Sequence, residues 1–182
     1  AVVYALGSFL EERFPHEETP FYTAFFSSAG VEEAVKFLFL FFLIWGNRNF
    51  NEPLDGIVYG VFVSLGFAWA ENVIYVTHPI LGGYETAFAR ALLSVPGHGL
   101  FGVRMGYYFA LGKYRSRKRY LPLAFFSPYL AHALYNYFLL KREPVFWLFF
   151  SVLEARLWVF GLKRIKELQN CSPFREKVSK ES

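Results

Sequence analysis

Apolar residues along this chain fall into runs of about 20, each closed by a short polar segment, which is the length a bilayer core about 30 Å thick demands of a helix. The pattern predicts helices over about 21–46, 53–76, 85–112, 120–140 and 144–162. The expected fold is therefore all-α: a polytopic transmembrane helix bundle, with kinked helices around an intramembrane polar site. Residues 1–10 are apolar but too short to span, and read as the end of an upstream helix cut by a fragment boundary. Residues 11–20 read as an extracytoplasmic loop and 21–162 as the transmembrane core. Residues 163–182 read as a cytoplasmic tail that starts as a helical extension of the last span.

Two ladders of small residues refine this picture. Gly56, Gly60, Ser64 and Ala68 recur every four residues on the second helix, and Gly102, Gly106 and Ala110 do so on the third. Such spacing gives a smooth face on which two membrane helices approach closely. Basic residues then set the orientation. Lys113, Arg115, Arg117, Lys118 and Arg119 lie in one short loop; Lys163, Arg164 and Lys166 follow the last span, and Arg48 follows the first. These fall on one side, which the positive-inside rule makes cytoplasmic. The acidic stretch at 11–18, the loop around 79–84 and the 141–143 turn then face outward, although Lys141 and Arg142 sit in that turn.

Composition narrows the function classes. Hydrophobic residues make up 54% of the 182, and 23 Phe and 12 Tyr suit lipid-facing and interfacial positions. The net charge of +4 is concentrated in the two basic stretches, so the expected partner is membrane lipid and not nucleic acid. Cys171 is the single cysteine, which excludes an intrachain disulfide and any cysteine-built metal site.

The chemistry lies in polar residues inside the apolar runs. The first helix carries Glu32-Glu33-x-x-Lys36, the second Phe67-x-x-x-Glu71-Asn72-x-x-Tyr75, the third His98, and the fourth His132-x-x-x-Asn136. Each ionised group at mid-bilayer costs about 2.5–3.5 kcal/mol on insertion scales, so these groups are expected to meet one another inside the bundle. Glu32, Glu71, His98 and His132 lie at depths that spread over about 9 Å at 1.5 Å per residue, in the outer half of the membrane. Pro96 and Pro128 precede the two histidines, each removing an amide donor, and predict a water-accessible cavity beside them. The plainer readings are structural. Lys36 holds Glu32 in place, Asp55 caps the second helix, Phe67 and Tyr75 pack, and Arg90 snorkels. Glu154 and Arg156 could pair with Arg104 or with the first helix, and receive no role.

Taken in order on successive helices, these motifs resemble the PrsW family of intramembrane proteases, distant relatives of the CAAX-prenyl protease superfamily. The resemblance covers about residues 30–136 and includes Asp55-Gly56-x-x-x-Gly60 leading into Gly66-Phe67-Ala68-x-x-Glu71-Asn72-x-x-Tyr75. It implies proteolysis of a membrane-anchored, single-span protein, with a regulatory anti-sigma factor as the archetype. The expected catalytic residues are Glu32, Glu33, Glu71, His98, His132 and Asn136. Glu32 or Glu33 activates water, and the histidines bind a metal or stabilise the oxyanion. Asn136 orients His132 or donates to the oxyanion. His98, His132 and Glu71 form the expected zinc set, with a metal-free glutamate mechanism as the alternative. A proton- or ion-coupled transporter and an inactive scaffold of the same fold are the competing readings.

Overall fold

Prolines mark where three helices start. A proline in the first helical turn loses no hydrogen bond, because the amide there has no intrahelical acceptor. Pro20, Pro53 and Pro144 occupy such positions. The Thr19 hydroxyl accepts from the Tyr22 amide ahead of the first helix, and Glu52 with Asp55 forms a capping box at the second. Asp55 thus supports the helix start from its third position, accepting from the amides of Asn51 and Glu52.

A computed structural model of the chain describes residues 19–78, 82–115 and 119–174. The segment expected to end an upstream helix (1–10) and the acidic stretch (11–18) lie outside the described residues, as do Arg117 and Lys118. Helix α1 covers residues 20–44 in three parts: an α-turn Pro20–Tyr22, a π-helical segment Thr23–Gly30, and an α-helix Val31–Ile44. It is followed by α2 (Pro53–Thr77), α3 (Tyr84–Leu92), α4 (Ser94–Tyr114), α5 (Tyr120–Lys141) and α6 (Pro144–Asn170). No strand occurs among the described residues.

The small-residue ladders face each other. A methyl group built on Gly60 would meet the Gly102 carbonyl at 2.6 Å, and one on Gly102 would meet the Gly60 carbonyl at 2.7 Å. Gly56 stands equally close to Gly106 and Ala110. Only a glycine face lets α2 and α4 approach backbone to backbone, and Ser64 Oγ donates across the same seam to the His98 carbonyl at 2.6 Å. That contact fixes the height of His98 against α2.

One end of the bundle is closed. Leu40, Phe50, Ile57, Tyr107, Phe109 and Leu168 form a buried cluster there. Lys113 Nζ donates to the carbonyls of Trp45 and Phe50, and Tyr114 Oη donates to Phe50 as well. The bond to Trp45 occupies an acceptor that the end of α1 leaves without an intrahelical donor, and the two bonds to Phe50 tie down the loop leading into α2. The helical extension expected after residue 162 is present to Asn170 and is held by the buried Leu168.

The outer surface of the bundle is apolar. Phe42, Phe62, Trp69, Leu148, Val159 and Leu162 are all more than half exposed. Two helices, α2 and α6, are long and apolar enough to cross a membrane. The chain is an all-α, polytopic membrane bundle built around a polar interior.

Two expectations change. The single helix expected over 85–112 is two segments, α3 and α4, interrupted at Leu93. Pro96 cannot donate to the Leu92 carbonyl one turn back, and the Leu93 carbonyl in the break accepts from Tyr135 Oη at 2.9 Å. Glu154 and Arg104 do not pair with each other. Glu154 Oε1 accepts from Trp158 Nε1, Arg104 Nε donates to Ser127 Oγ, and Arg156 is exposed.

Candidate active site

The paired glutamates sit just after the π-helical segment, where the chain returns to α-helix. Adjacent residues on a helix point about 100° apart, so Glu32 and Glu33 face different neighbours. Glu33 is 0% exposed and Lys36 1% exposed, and their side chains meet at 2.7 Å. Lys36 also lies 2.8 Å from His98 Nδ1, while Glu32 Oε2 is more distant at 3.7 Å. The lysine therefore anchors Glu33 and His98 more than Glu32.

These contacts set the histidine tautomers. A protonated lysine can only donate, so His98 Nδ1 accepts and Nε2 carries the proton, which it donates to Glu71 Oε2 at 3.0 Å. A carboxylate can only accept, so His132 Nδ1 carries the proton that it gives to Glu33 Oε1 at 2.8 Å. The lone pair of His132 Nε2 is left facing Glu32 Oε2 across 3.9 Å. Phe101 stacks on the His132 ring at 4.6 Å and keeps it in that plane.

Glu32 is held from its other oxygen. Ser28 Oγ donates to Glu32 Oε1 at 2.9 Å and accepts from Asn136 Nδ2 at 2.9 Å. Asn136 thus reaches Glu32 through Ser28, where the sequence reading had it orienting His132 or reaching the oxyanion directly. Glu32 Oε2 is buried and makes no hydrogen bond among the described residues.

A cavity of about 330 Å³ opens onto this group. Ser28, Glu32, Glu71, Arg90, His98, His132 and Asn136 all line it, so α1 to α5 each contribute. Its remaining wall, including Thr23, Tyr75, Leu139 and Leu140, comes from the end of the bundle opposite Lys113 and Leu168.

Arg90 does not snorkel. It donates to Glu71 at 2.7 Å, to Asn72 at 2.6 Å and to Ser94 at 3.1 Å, and stacks on Tyr75. An arginine with an intramembrane carboxylate within reach gains more from pairing than from stretching toward water. Phe67 packs beside His98 and under Lys36.

Three carboxylates (Glu32, Glu33, Glu71) and two cations (Lys36, Arg90) leave this buried group with one uncompensated negative charge. Glu32, His98 and His132 each offer a ligand atom, all within 4.8 Å of one another. Two imidazoles and one carboxylate are a donor set that catalytic zinc uses. The bare Glu32 Oε2 and the unprotonated His132 Nε2 are open to a cation, whereas His98 joins only by exchanging Glu71 or Lys36. The donor set therefore fits a metal. The trio contains Glu32 where the sequence reading placed Glu71, whose Oε2 is shared between Arg90 and His98.

Ser28 and the pairing of Arg90 were missed at the sequence level. A signal existed for Ser28, four residues ahead of Glu32 and so within one helical turn. For Arg90, the signal was a cation near the outer end of its apolar run, at a depth close to that of Glu71 in the run before it.

Comparison with known proteins identifies the family. Residues 1–160 match the model of the PrsW family of intramembrane metalloproteases. The chain is 41% identical over 152 residues to Protease PrsW of Geobacillus kaustophilus (strain HTA426), covering 82% of this chain and 65% of that protein. It is 37% identical over 154 residues to Protease PrsW of Bacillus subtilis (strain 168), covering 82% and 68%. To Protease PrsW of Clostridioides difficile (strain 630) it is 32% identical over 156 residues, covering 83% and 66%. The chain thus spans about two thirds of the length of the curated relatives it matches. No solved structure matches it. With the motifs on successive helices, the cavity and these matches in agreement, the chain belongs to the PrsW family of intramembrane metalloproteases.

Proposed function

We propose that this chain hydrolyses a peptide bond in a single-span, membrane-anchored protein, of which an anti-sigma factor-like regulator is the expected kind. The observation that carries the reading is the pair of bare acceptors, Glu32 Oε2 and His132 Nε2, facing each other 3.9 Å apart at a cavity wall. Two acceptors at that separation suit one water that donates a hydrogen to each and keeps a lone pair for attack.

In this mechanism Glu32 takes a proton from the water as its oxygen bonds to the scissile carbonyl carbon. The same proton passes to the departing nitrogen as the C–N bond breaks. Glu33 keeps its place behind His132, fixing the tautomer. Asn136 and Arg90, both in the cavity wall, offer N–H groups to the oxygen that gains charge. A zinc ion held by Glu32, His98 and His132 would polarise the scissile carbonyl as a Lewis acid. His98 would give up its bond to Glu71, and Arg90 would retain the freed carboxylate.

The test is co-expression with a single-span substrate. Wild type should cleave it, while His132→Ala should not at equal protein level; cleavage that survives the change removes this site from the reaction. Elemental analysis and chelation separate the two versions: one zinc per chain whose removal stops cleavage would make Glu32, His98 and His132 its ligands. Full activity in metal-free protein would assign water activation to Glu32 and His132 alone.

The proposed location is the cell membrane, multi-pass, with the C-terminal segment in the cytoplasm and the cavity opening outward. Support comes from charge: Arg48, Lys113, Arg115, Lys163 and Lys166 gather at the closed end, which the positive-inside rule assigns to the cytoplasm. Cys171 is exposed and follows α6 at that end. A membrane-impermeant maleimide should label it only after permeabilisation, and labelling of intact cells would invert the orientation.

A further inference from the structure

Ser28, the middle of the relay from Asn136 to Glu32, lies outside the motifs. It lies in the π-helical segment Thr23–Gly30, three residues before the chain returns to α-helix at Val31. A π-helical stretch is less favourable than α-helix and tends to persist where a site needs it. The turn here is tight, since a methyl group on Gly30 would stand 2.9 Å from the Phe25 carbonyl. The segment packs on α5, with Phe25 edge-on to Tyr129 and Tyr137. Asn136 comes from that same helix.

We propose that Ser28 is a positioning residue for hydrolysis: it holds Glu32 Oε1 so that Oε2 is kept toward His132 Nε2, 3.9 Å away. The direction of the bonds supports this. Asn136 Nδ2 donates to Ser28 Oγ at 2.9 Å, so the hydroxyl hydrogen is free to be given to Glu32, again at 2.9 Å. A carboxylate with one oxygen tied in this way cannot rotate to offer both oxygens to water. Lys36, the other group within reach of Glu32, is 3.7 Å from Oε2 and is engaged by Glu33 and His98. Ser28 and Asn136 act in series, so removing either releases the same carboxylate. The role holds whether Glu32 takes a proton or ligates a metal.

This inference rests on Glu32 acting in hydrolysis, and the experiment separates the two claims. Cleavage of a reconstituted single-span substrate is measured for wild type, Ser28→Ala, Ser28→Thr, Asn136→Ala, the Ser28→Ala/Asn136→Ala pair and Glu32→Gln, each normalised to folded protein. Ser28→Ala is expected to lower kcat by about 10- to 100-fold, the scale of a misplacement near 1 Å, with KM within about twofold. Ser28→Thr, which keeps the hydroxyl, should restore most of the rate. The double variant should be no slower than the slower single variant. An unchanged kcat in Ser28→Ala, full additivity in the pair, or a loss that Thr fails to rescue overturns the positioning role. If Glu32→Gln cleaves within about threefold of the wild-type rate, the hydrolytic reading itself fails; if it is slowed by about 100-fold or more while Ser28→Ala is fully active, only the present inference fails.

Discussion

Replacing Glu32 by Gln will slow substrate cleavage by about 10²- to 10⁴-fold, the usual contribution of a positioned general acid–base group. The change is close to isosteric. The new amide oxygen can still accept from Ser28 Oγ, so the relay to Asn136 survives. What disappears is the charged Oε2, the bare atom that faces His132 Nε2. Glu33→Gln should also reduce activity, by another route. A glutamine offers N–H as well as oxygen to His132 Nδ1, so it no longer enforces the tautomer that leaves Nε2 unprotonated. Purified variants assayed on one reconstituted substrate give both rates. A Glu32→Gln rate within threefold of wild type would remove Glu32 from the chemistry.

The second large effect concerns stability. Lys36→Met will destabilise the fold by about 3–5 kcal/mol, the range for removing one partner of a buried ion pair. Lys36 is 1% exposed and Glu33 0% exposed, so Glu33 would keep its charge with only His132 beside it. His98 Nδ1 would lose its donor at the same time. The Glu33→Gln/Lys36→Met pair should recover part of the loss, because Glu33 is then no longer a buried charge without a partner, while Glu32 still loses the lysine 3.7 Å away. It should stay inactive, because the constraint on His132 is gone. Unfolding in detergent micelles, followed for wild type, Lys36→Met and the pair, reads the three stabilities. A Lys36→Met variant as stable as wild type would show that the Lys36–Glu33 contact carries little.

The sequence was most informative where one physical requirement acts alone. A bilayer needs about 20 apolar residues per crossing, so the run expected over 53–76 appears as Pro53–Thr77 and that over 120–140 as Tyr120–Lys141. The glycine ladders were legible for the same reason, since close approach of backbones admits little besides small residues. The clustering of Glu32, Glu71, His98 and His132 followed from the cost of isolated charges in lipid. Pairing within the cluster did not. Several carboxylates and cations at similar depth can be matched in more than one way, and the choice depends on rotations of a few tens of degrees between helices. Hence Arg90 was not expected on Glu71, and Glu32 rather than Glu71 stands with the two histidines. The π-helical segment was equally hidden, because its extra residue per turn is stabilised by packing on α5 and not by local propensity. The break at Leu93 lay in between: Pro96 announced a disturbance, but not that the run would separate into two segments.

The central claim is that water activated between Glu32 and His132 breaks a peptide bond inside the membrane. Its most direct test is purified protein in liposomes with a single-span substrate, run in water enriched in oxygen-18 and read by mass spectrometry of the products. One heavy oxygen is expected in the new C-terminal carboxylate of the wild-type product, with product from Glu32→Gln lowered by about 100-fold or more. Cleavage at undiminished rate by Glu32→Gln, or no cleavage by well-folded wild type across a panel of single-span substrates, would contradict it.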